Sequence, residues 1–309
     1  MTNAVSKAVQ PGRSATSEMV RRLPEFLMIW VPLLLSAAHL ISFSIWTIWI
    51  SFTPSTLIPV SGWVGLRNYT AVLASRNWQI AFDNLLLFGI AFVVLSLFTG
   101  LVLAILLDQR IRAENVLRSI FLYPLAVSFV VTGTVWSWLL NPGIGIEKLV
   151  HDLGWTAFHF DWLVNRDMAI WTIVIAAVWQ SSGFAMALFL AGLRSVDADI
   201  IKAAQIDGAG PIRTYWRVVL PTLWPITITV IVIQLQFAIS AFDLVRALTN
   251  GGPGIATQLP ALVVYDLMFQ RSQLGRGAAA AVLMLLILLA VLLPYAAWRY
   301  VQRRQATHA

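Results

Sequence analysis

The reactive side chains of this chain fall into no catalytic or metal-binding pattern. Its four histidines are His39, His151, His159 and His308. None of them lies four residues from another, the spacing at which two imidazoles on one helix face share a metal ion. The chain has no cysteine, which excludes disulfides, a cysteine zinc site and a thiol nucleophile. We therefore expect no catalytic residue and no metal. His39 is a functional candidate because it lies within an apolar run, but we expect a neutral packing histidine there.

The hydrophobic residues occur in long blocks. Charged residues are only 11% of the 309 residues, and mean hydropathy is +0.78, whereas soluble domains carry about 25% charged residues. About 20 apolar residues cross the hydrocarbon core as a helix, which satisfies its own backbone polar groups. We predict an all-α, polytopic membrane protein with six transmembrane helices. These are six runs without Asp, Glu, Lys or Arg, each at least 22 residues long: 26–53, 84–107, 119–140, 168–193, 218–242 and 277–298.

The basic residues predict the orientation of these helices. Four segments that share one side of the membrane contain 14 of the 21 Lys and Arg residues. Cytoplasmic loops carry an excess of Lys and Arg, so we place this side, and both termini, in the cytoplasm. The net charge of +7 follows from this bias beside anionic lipid, and no basic stripe with interleaved aromatics predicts nucleic-acid binding. The four segments are 1–25, 108–118, 194–217 and 299–309.

The chain has no visible energy source of its own. It lacks the Gly-x-x-x-x-Gly-Lys-Ser/Thr phosphate loop, so it does not bind ATP by that route. Ion-coupled carriers place carboxylates inside their spans, near the midplane. Here Asp83 and Asp243 lie only at run edges, and Asp108 follows the second run. This favours a permease powered by a partner over a proton- or sodium-driven carrier.

A short polar segment, Ile201–Ala209, lies between the fourth and fifth runs. Gly208 can adopt the positive φ that turns one short helix into the next. Pro221, which has no N–H, suits the first turn of the following helix. Ala203 and Ala204 are small enough to let a helix lie deep in another protein's groove. We predict a bent pair of short helices that docks on a partner.

The spacing of Ala203-Ala204, Gly208 and Leu220-Pro221 resembles the coupling-loop signature of ABC importer permeases. The likeness covers residues 20–300. The coupling-loop signature together with Gly251-Gly252-Pro253 is typical of carbohydrate importers of the maltose-transporter type. Two segments, Trp179–Phe184 and Phe242–Val245, resemble the glucose/mannose-type branch of this family. Other segments similar to the family are Gly65–Tyr69, Tyr123-Pro124, Trp136, Asn141–Gly143 and Thr249–Pro253, the last followed by Thr257, Tyr265 and Phe269.

The resemblance implies an ABC type I importer permease fold in a bacterial inner membrane. It implies a homologous second permease subunit, a dimer of ABC ATPases that binds ATP and Mg, and an extracytoplasmic sugar-binding protein. It implies no cofactor in this chain. The family usually has Glu where this chain has Lys202, which leaves the charge pairing at that position open. The implied domains are a tail over 1–25, a transmembrane domain over 26–301 with the coupling loop at 194–221, and a tail over 302–309. The implied ATPase-coupling residues are Lys202, Ala203, Ala204, Asp207, Gly208 and Ala209.

A sugar site combines amide or hydroxyl side chains with aromatic rings. By resemblance, the expected substrate-binding residues are Ser181 and Phe184 of the fourth run and Gln234 and Phe237 of the fifth. Gln180 joins them because it is an amide side chain in the fourth run. Two further matching positions, Ala238 and Ala241, have no polar side chain, which implies a less extensive sugar contact. Spacing also places Gln234, Phe237 and Ala241 on one helix face. The alternative role for the polar residues is bridging between helices.

Three other functions stay open. An ABC permease for another solute, such as a glycerol-phosphate ester or a polyamine, would keep the coupling loop, although phosphate recognition favours Arg or Lys in the spans. A secondary carrier needs midplane carboxylates and inverted repeats. A membrane enzyme needs a nucleophile–base pair or a metal centre.

Overall fold

Helices are the only regular elements in the part of the chain that the computed structural model describes, residues 15–109 and 112–308. The predicted all-α fold class is therefore confirmed. Residues 1–14 of the predicted N-terminal tail lie outside this part, and the first helix begins within the same predicted tail. The helices are α1 (Ala15–Ser51), α2 (Arg67–Leu73), α3 (Arg76–Asp108), α4 (Glu114–Ala126), α5 (Phe129–Leu139), α6 (Ile146–Asp152), α7 (Ala169–Ser195), α8 (Ala198–Ile206), α9 (Pro211–Thr214), α10 (Leu220–Thr222), α11 (Trp224–Ile239), α12 (Asp243–Leu248), α13 (Pro260–Tyr265) and α14 (Leu274–His308), with π-helical turns at Tyr215–Val219 and Asp266–Gln270.

Within the described residues, four helices are long and apolar enough to cross a membrane, and two bent helix pairs raise the number to six if each pair is one span. The third and fifth predicted runs, 119–140 and 218–242, are therefore not straight helices. Helices α4 and α5 meet at 98°, and the segment Tyr215–Thr222 meets α11 at 60°. The four uninterrupted spans are Trp30–Ser51, Arg76–Asp108, Ala169–Ser195 and Leu274–Gln302.

Prolines and a serine cap explain the two bends. Pro124 lies inside α4, where it removes one helical N–H, and Val127 is extended with ψ 138°. Ser128 then accepts a hydrogen bond from the backbone N–H of Val131 and starts α5. At the second bend, Pro221 and Pro225 each occupy the start of a helix, α10 and α11. The apolar composition of both runs is compatible with either a straight or a bent path.

The chain divides into two compact units, residues 1–49 and 50–309. In the first unit the ring of His39 packs against Phe43, with ring centroids 4.4 Å apart. Both side chains are exposed and belong to the same helix, so the packing role expected for His39 stays a prediction.

Helices α3 and α7 form the centre of the second unit. Their close approach requires Gly100, because a Cβ there would lie 2.6 Å from the Cβ of Ala185 and 2.9 Å from the backbone nitrogen of Met186. Phe88 and Phe92 of α3 and Ile173 of α7 are almost fully buried in the same core. These two helices therefore provide a fixed frame for the polar residues of α7.

The segment Gly65–Tyr69 ties the start of α2 to the end of α1. The side-chain amide of Asn68 donates to the carbonyl oxygens of Ser51 and Thr53, at 2.9 and 2.8 Å. The hydroxyls of Ser51 and Tyr69 are 2.6 Å apart. Asn68 therefore satisfies carbonyls that the end of α1 leaves without a helical partner.

Candidate functional site

Gln180 of α7 has a structural contact. Its side-chain nitrogen donates to the carbonyl oxygen of Val127 at 2.7 Å, at the break between α4 and α5. A carbonyl freed at a helix break inside a membrane needs such a donor, because lipid supplies none. Its side-chain oxygen is buried without a hydrogen-bond partner among the described residues. Gln180 therefore stabilises the bend and keeps one unused acceptor.

Gln234 of α11 has no such contact. Its side chain is fully buried, and neither the amide oxygen nor the amide nitrogen has a hydrogen-bond partner among the described residues. Leaving a buried polar group unsatisfied costs about 1–3 kcal/mol. A packing role does not explain a glutamine in this position, because leucine would fill similar space without that penalty.

A small cavity is lined by two of the five expected substrate residues, Ser181 and Phe237, and not by Gln180, Phe184 or Gln234. Its volume is about 60 Å³, which is enough for a few waters and below the roughly 300–1,000 Å³ of ligand pockets. The remaining lining residues are Phe88, Phe92, Phe129, Ala177, Ser240, Ala241, Phe242, Asp243 and Leu244.

Aromatic rings surround Phe237. Its ring centroid lies 6.3 Å from that of Phe184 and 6.5 Å from that of Phe129, both in edge-on geometry. Phe184 therefore contacts the cavity wall without lining the cavity itself. The structure thus brings rings from α5, α7 and α11 together, and the family resemblance implied only two of them, Phe184 and Phe237.

Two expectations about α11 need correction. Ala241 does not share a helix face with Gln234 and Phe237, because α11 ends at Ile239 and Ser240 caps it; Ala241 reaches the same cavity from the following turn. Ala238 is buried in the core cluster and does not line the cavity. The sequence reasoning also missed Asp243, an exposed carboxylate on the cavity lining. Its position at the edge of the fifth run was the available signal.

The segment between α7 and α11 folds as a bent pair of short helices, α8 and α9, as predicted. Gly208 has φ +78°, and the N–H of Ala209 donates to the carbonyl of Ala204 at 3.0 Å. This is the hydrogen bond of a Schellman cap, which places a residue with positive φ directly after the helix end. A Cβ on Gly208 would meet nothing within 4 Å, so backbone conformation, and not space, requires glycine here.

The surface of this helix pair is open. Ala203, Asp207 and Gly208 are exposed, Ala204 and Ala209 are partly buried, and Ile206 exposes 85% of its surface.

Lys202 forms an ion pair within its own helix. Its Nζ lies 2.9 Å from a carboxylate oxygen of Asp199, three residues earlier. Both side chains are more than two-thirds exposed, so the pair contributes about 0.2–1 kcal/mol. The positive charge that departs from the family pattern is thus partly compensated inside α8.

A polar cluster joins the far side of this segment to the neighbouring helices. The guanidinium of Arg194, at the end of α7, lies 2.5 Å from Glu114 at the start of α4 and 3.9 Å from Asp108 at the end of α3. The hydroxyl of Tyr215, directly after α9, donates to the same Asp108 at 3.5 Å. Asp108 therefore connects the residue directly after α9 with the ends of α3 and α7, and Arg194 adds the start of α4.

The loop with Gly251-Gly252-Pro253 is held by hydroxyl contacts and by α3. The hydroxyls of Thr249 and Thr257 are 2.8 Å apart, and Thr257 also donates to the carbonyl of Gly252. The amide of Asn84 donates to the carbonyls of Ala256 and Gln258, at 2.9 and 3.0 Å. Asn84 therefore fixes the end of this loop to α3.

Comparison with known proteins places these features in a family. The family described as binding-protein-dependent transport system inner membrane component matches residues 96–307. A probable ABC transporter permease of Pyrococcus horikoshii is 37% identical over 281 residues, which cover 90% of this chain and 96% of that protein. The xylose/arabinose import permease protein XacH of Haloferax volcanii is 35% identical over 239 residues, 77% of this chain and 75% of its own.

The sn-glycerol-3-phosphate transport system permease protein UgpA of Rhizobium meliloti is 31% identical over 245 residues, 79% of this chain and 82% of its own. Among solved structures, a chain of a bacterial ABC transporter involved in the import of the acidic polysaccharide alginate superposes with a TM-score of 0.78. The superposition covers 94% of this chain and 99% of that chain, at 17% sequence identity. At this identity the likeness concerns the fold.

Proposed function

This chain belongs to the family of inner membrane components of binding-protein-dependent transport systems, and from that premise we propose that it is the permease subunit of an ATP-driven importer for a small carbohydrate. It is a multi-pass membrane protein of the ABC importer permease fold. The substrate we propose is a monosaccharide such as glucose or mannose. The second permease, the ATPase dimer and the extracytoplasmic binding protein are the proposed partners.

The observation that carries the carbohydrate proposal is the amide of Gln234. Sugar hydroxyls both donate and accept hydrogen bonds, as does a carboxamide. Both amide atoms of Gln234 lack a partner among the described residues, in a helix whose next turn presents Phe237 and its neighbouring rings. They are buried and do not line the cavity, so we propose that they meet the sugar when the helices move. The cavity of about 60 Å³ belongs to one subunit, and a second permease across from it completes the proposed path. Movement of the helices then opens this path to one side at a time.

Uptake by the reconstituted complex tests the substrate. Proteoliposomes that contain ATP and the complete complex should accumulate a labelled monosaccharide. One or a few unlabelled sugars of a panel should reduce this accumulation by competition. The glycerol-phosphate relative makes a phosphate ester the second candidate. Accumulation of glycerol 3-phosphate that sugars do not reduce would overturn the carbohydrate proposal and support this second one.

Cysteine labelling tests the proposed orientation. The chain has no cysteine, so single introduced cysteines report without background. Ala157 and Ala113 are both exposed, and they lie in connections that the orientation puts on opposite sides. In intact cells Ala157→Cys should react with an impermeant maleimide, and Ala113→Cys should react only after permeabilisation. The reverse pattern would contradict the orientation.

A double-mutant cycle tests what Lys202 contacts. Because its ion pair with Asp199 is exposed, Lys202→Ala should change substrate-stimulated ATP hydrolysis by less than about fivefold. In the Asp199→Ala background the same change should have no effect. An equal loss in both backgrounds would show that the partner ATPase, and not Asp199, interacts with this charge.

A further inference from the structure

Three side chains of the connection between α5 and α7 converge outside the proposed transport path. Glu147 and His151 lie four residues apart on α6, and His159 follows α6 in the chain. A carboxylate oxygen of Glu147 and one ring nitrogen of each histidine all lie within 4.8 Å of one another. The two imidazole rings are nearly perpendicular, with centroids 5.8 Å apart.

The contact between Glu147 and His159 has the spacing of two ligands of one metal ion. Glu147 Oε1 lies 3.3 Å from His159 Nδ1. Tetrahedral zinc, with bonds of about 2.0–2.1 Å to nitrogen and oxygen, holds its ligand atoms about 3.3–3.4 Å apart. A zinc ion can therefore replace the hydrogen bond between these two atoms with little movement of either side chain.

The hydrogen bond of His151 prepares it as a ligand. Its Nε2 lies 2.6 Å from the carbonyl oxygen of Phe158, and because a carbonyl only accepts, Nε2 carries the proton. The neutral ring then has its lone pair on Nδ1. Metal-binding histidines commonly donate their second ring N–H to a backbone carbonyl, which fixes the tautomer and the ring orientation.

Glu147 is also held in place. Its side chain is only 12% exposed, and Oε2 accepts a hydrogen bond from the backbone N–H of Phe160 at 3.3 Å. Oε1 is thereby aimed at His159, whose side chain is 75% exposed. The carboxylate is oriented by the protein, and one ligand faces solvent, so an ion has an entry path.

We propose that Glu147, His151 and His159 bind a divalent transition-metal ion, with zinc as the best fit to two imidazoles and one carboxylate. Three protein ligands leave a fourth position for water. The bound ion joins α6 to the segment 158–160, which α6 otherwise contacts through single hydrogen bonds. This site contradicts the expectation of no metal, which rested on the spacing between histidines, whereas the i, i+4 pair here is Glu147 and His151.

Zinc titration of the purified, tag-free chain in lipid nanodiscs tests the proposal. One equivalent should bind saturably, in competition with a chelating dye of known affinity. His151→Gln and His159→Gln should each weaken binding by about 10-fold or more, and Glu147→Gln should also weaken it. His39→Gln, a histidine change elsewhere in the chain, should bind zinc as the unchanged protein does.

Hydrogen exchange supplies a second measurement that does not need transport activity. Zinc should slow amide exchange over 146–160 in the unchanged chain and in His39→Gln, but not in His159→Gln. Because His159 is exposed, that variant should fold normally, and its exchange without zinc provides the check. No saturable zinc binding, or equal binding by the His39 and His159 variants, would overturn the proposal.

Discussion

Replacing Gly208 with valine is expected to abolish substrate-stimulated ATP hydrolysis and sugar uptake while the chain remains inserted in the membrane. Gly208 has φ +78° at the end of α8, a conformation that costs an L-residue about 1–2 kcal/mol and a β-branched one more. The cap therefore opens, and α9 no longer follows α8 at the same angle. Since about 1.4 kcal/mol is a factor of ten, we expect at least a tenfold loss of coupled hydrolysis.

Gly210 is the matched control for this experiment. A Cβ would meet nothing within 4 Å at either glycine, but only Gly208 has a positive φ. Gly210→Val should therefore keep most of the coupled activity and retain the ATPase during purification. If both variants lose the ATPase equally, added bulk on this surface is responsible, and the proposed role of the backbone turn is wrong. Normal uptake by Gly208→Val would also contradict it.

Gln234→Leu is expected to leave the complex at least as stable as before and to reduce uptake about tenfold or more. The buried amide of Gln234 has no partner among the described residues, so an apolar side chain of similar volume removes a penalty and leaves no donor or acceptor orphaned. The loss of uptake has a separate cause, since a sugar hydroxyl that Gln234 contacts would lose a hydrogen bond of roughly 1–3 kcal/mol.

Gln180→Leu provides the contrast within the same chain. It removes the donor to the carbonyl of Val127, so the unfolding temperature of the complex should fall in this variant and not in Gln234→Leu. Thermal unfolding followed in detergent, together with uptake, measures both quantities. Reduced stability and normal uptake for Gln234→Leu would show that Gln234 holds helices together and is not part of the substrate path.

The helical class and the docking segment could be predicted from sequence because both depend on local properties. Charge-free runs of this length indicate membrane-spanning helices wherever they occur, and Gly208 and Pro221 act on their own backbone. The bend between α4 and α5 has local signals too, Pro124 and Ser128. These signals are hard to recognise in an apolar run, because the same composition suits a straight helix and a bent one in lipid.

Long-range partners could not be predicted in the same way. The bond from Gln180 to Val127 joins residues far apart in the chain, and no local pattern distinguishes Gln180 from Gln234, which has no partner among the described residues. Asp243 reaches the cavity only because α11 ends at Ile239. By contrast, the pairing of Lys202 with Asp199 follows ordinary i, i+3 spacing on a helix and was visible in the sequence.

The most direct test of the central claim, that this chain is the permease of an ATP-driven importer, is the rate of ATP hydrolysis by the reconstituted complex. The rate should rise when sugar-loaded binding protein is added, and the sugar should accumulate inside proteoliposomes only when ATP is present. The claim would be contradicted if the rate of ATP hydrolysis did not change on addition of the loaded binding protein and the sugar accumulated without ATP.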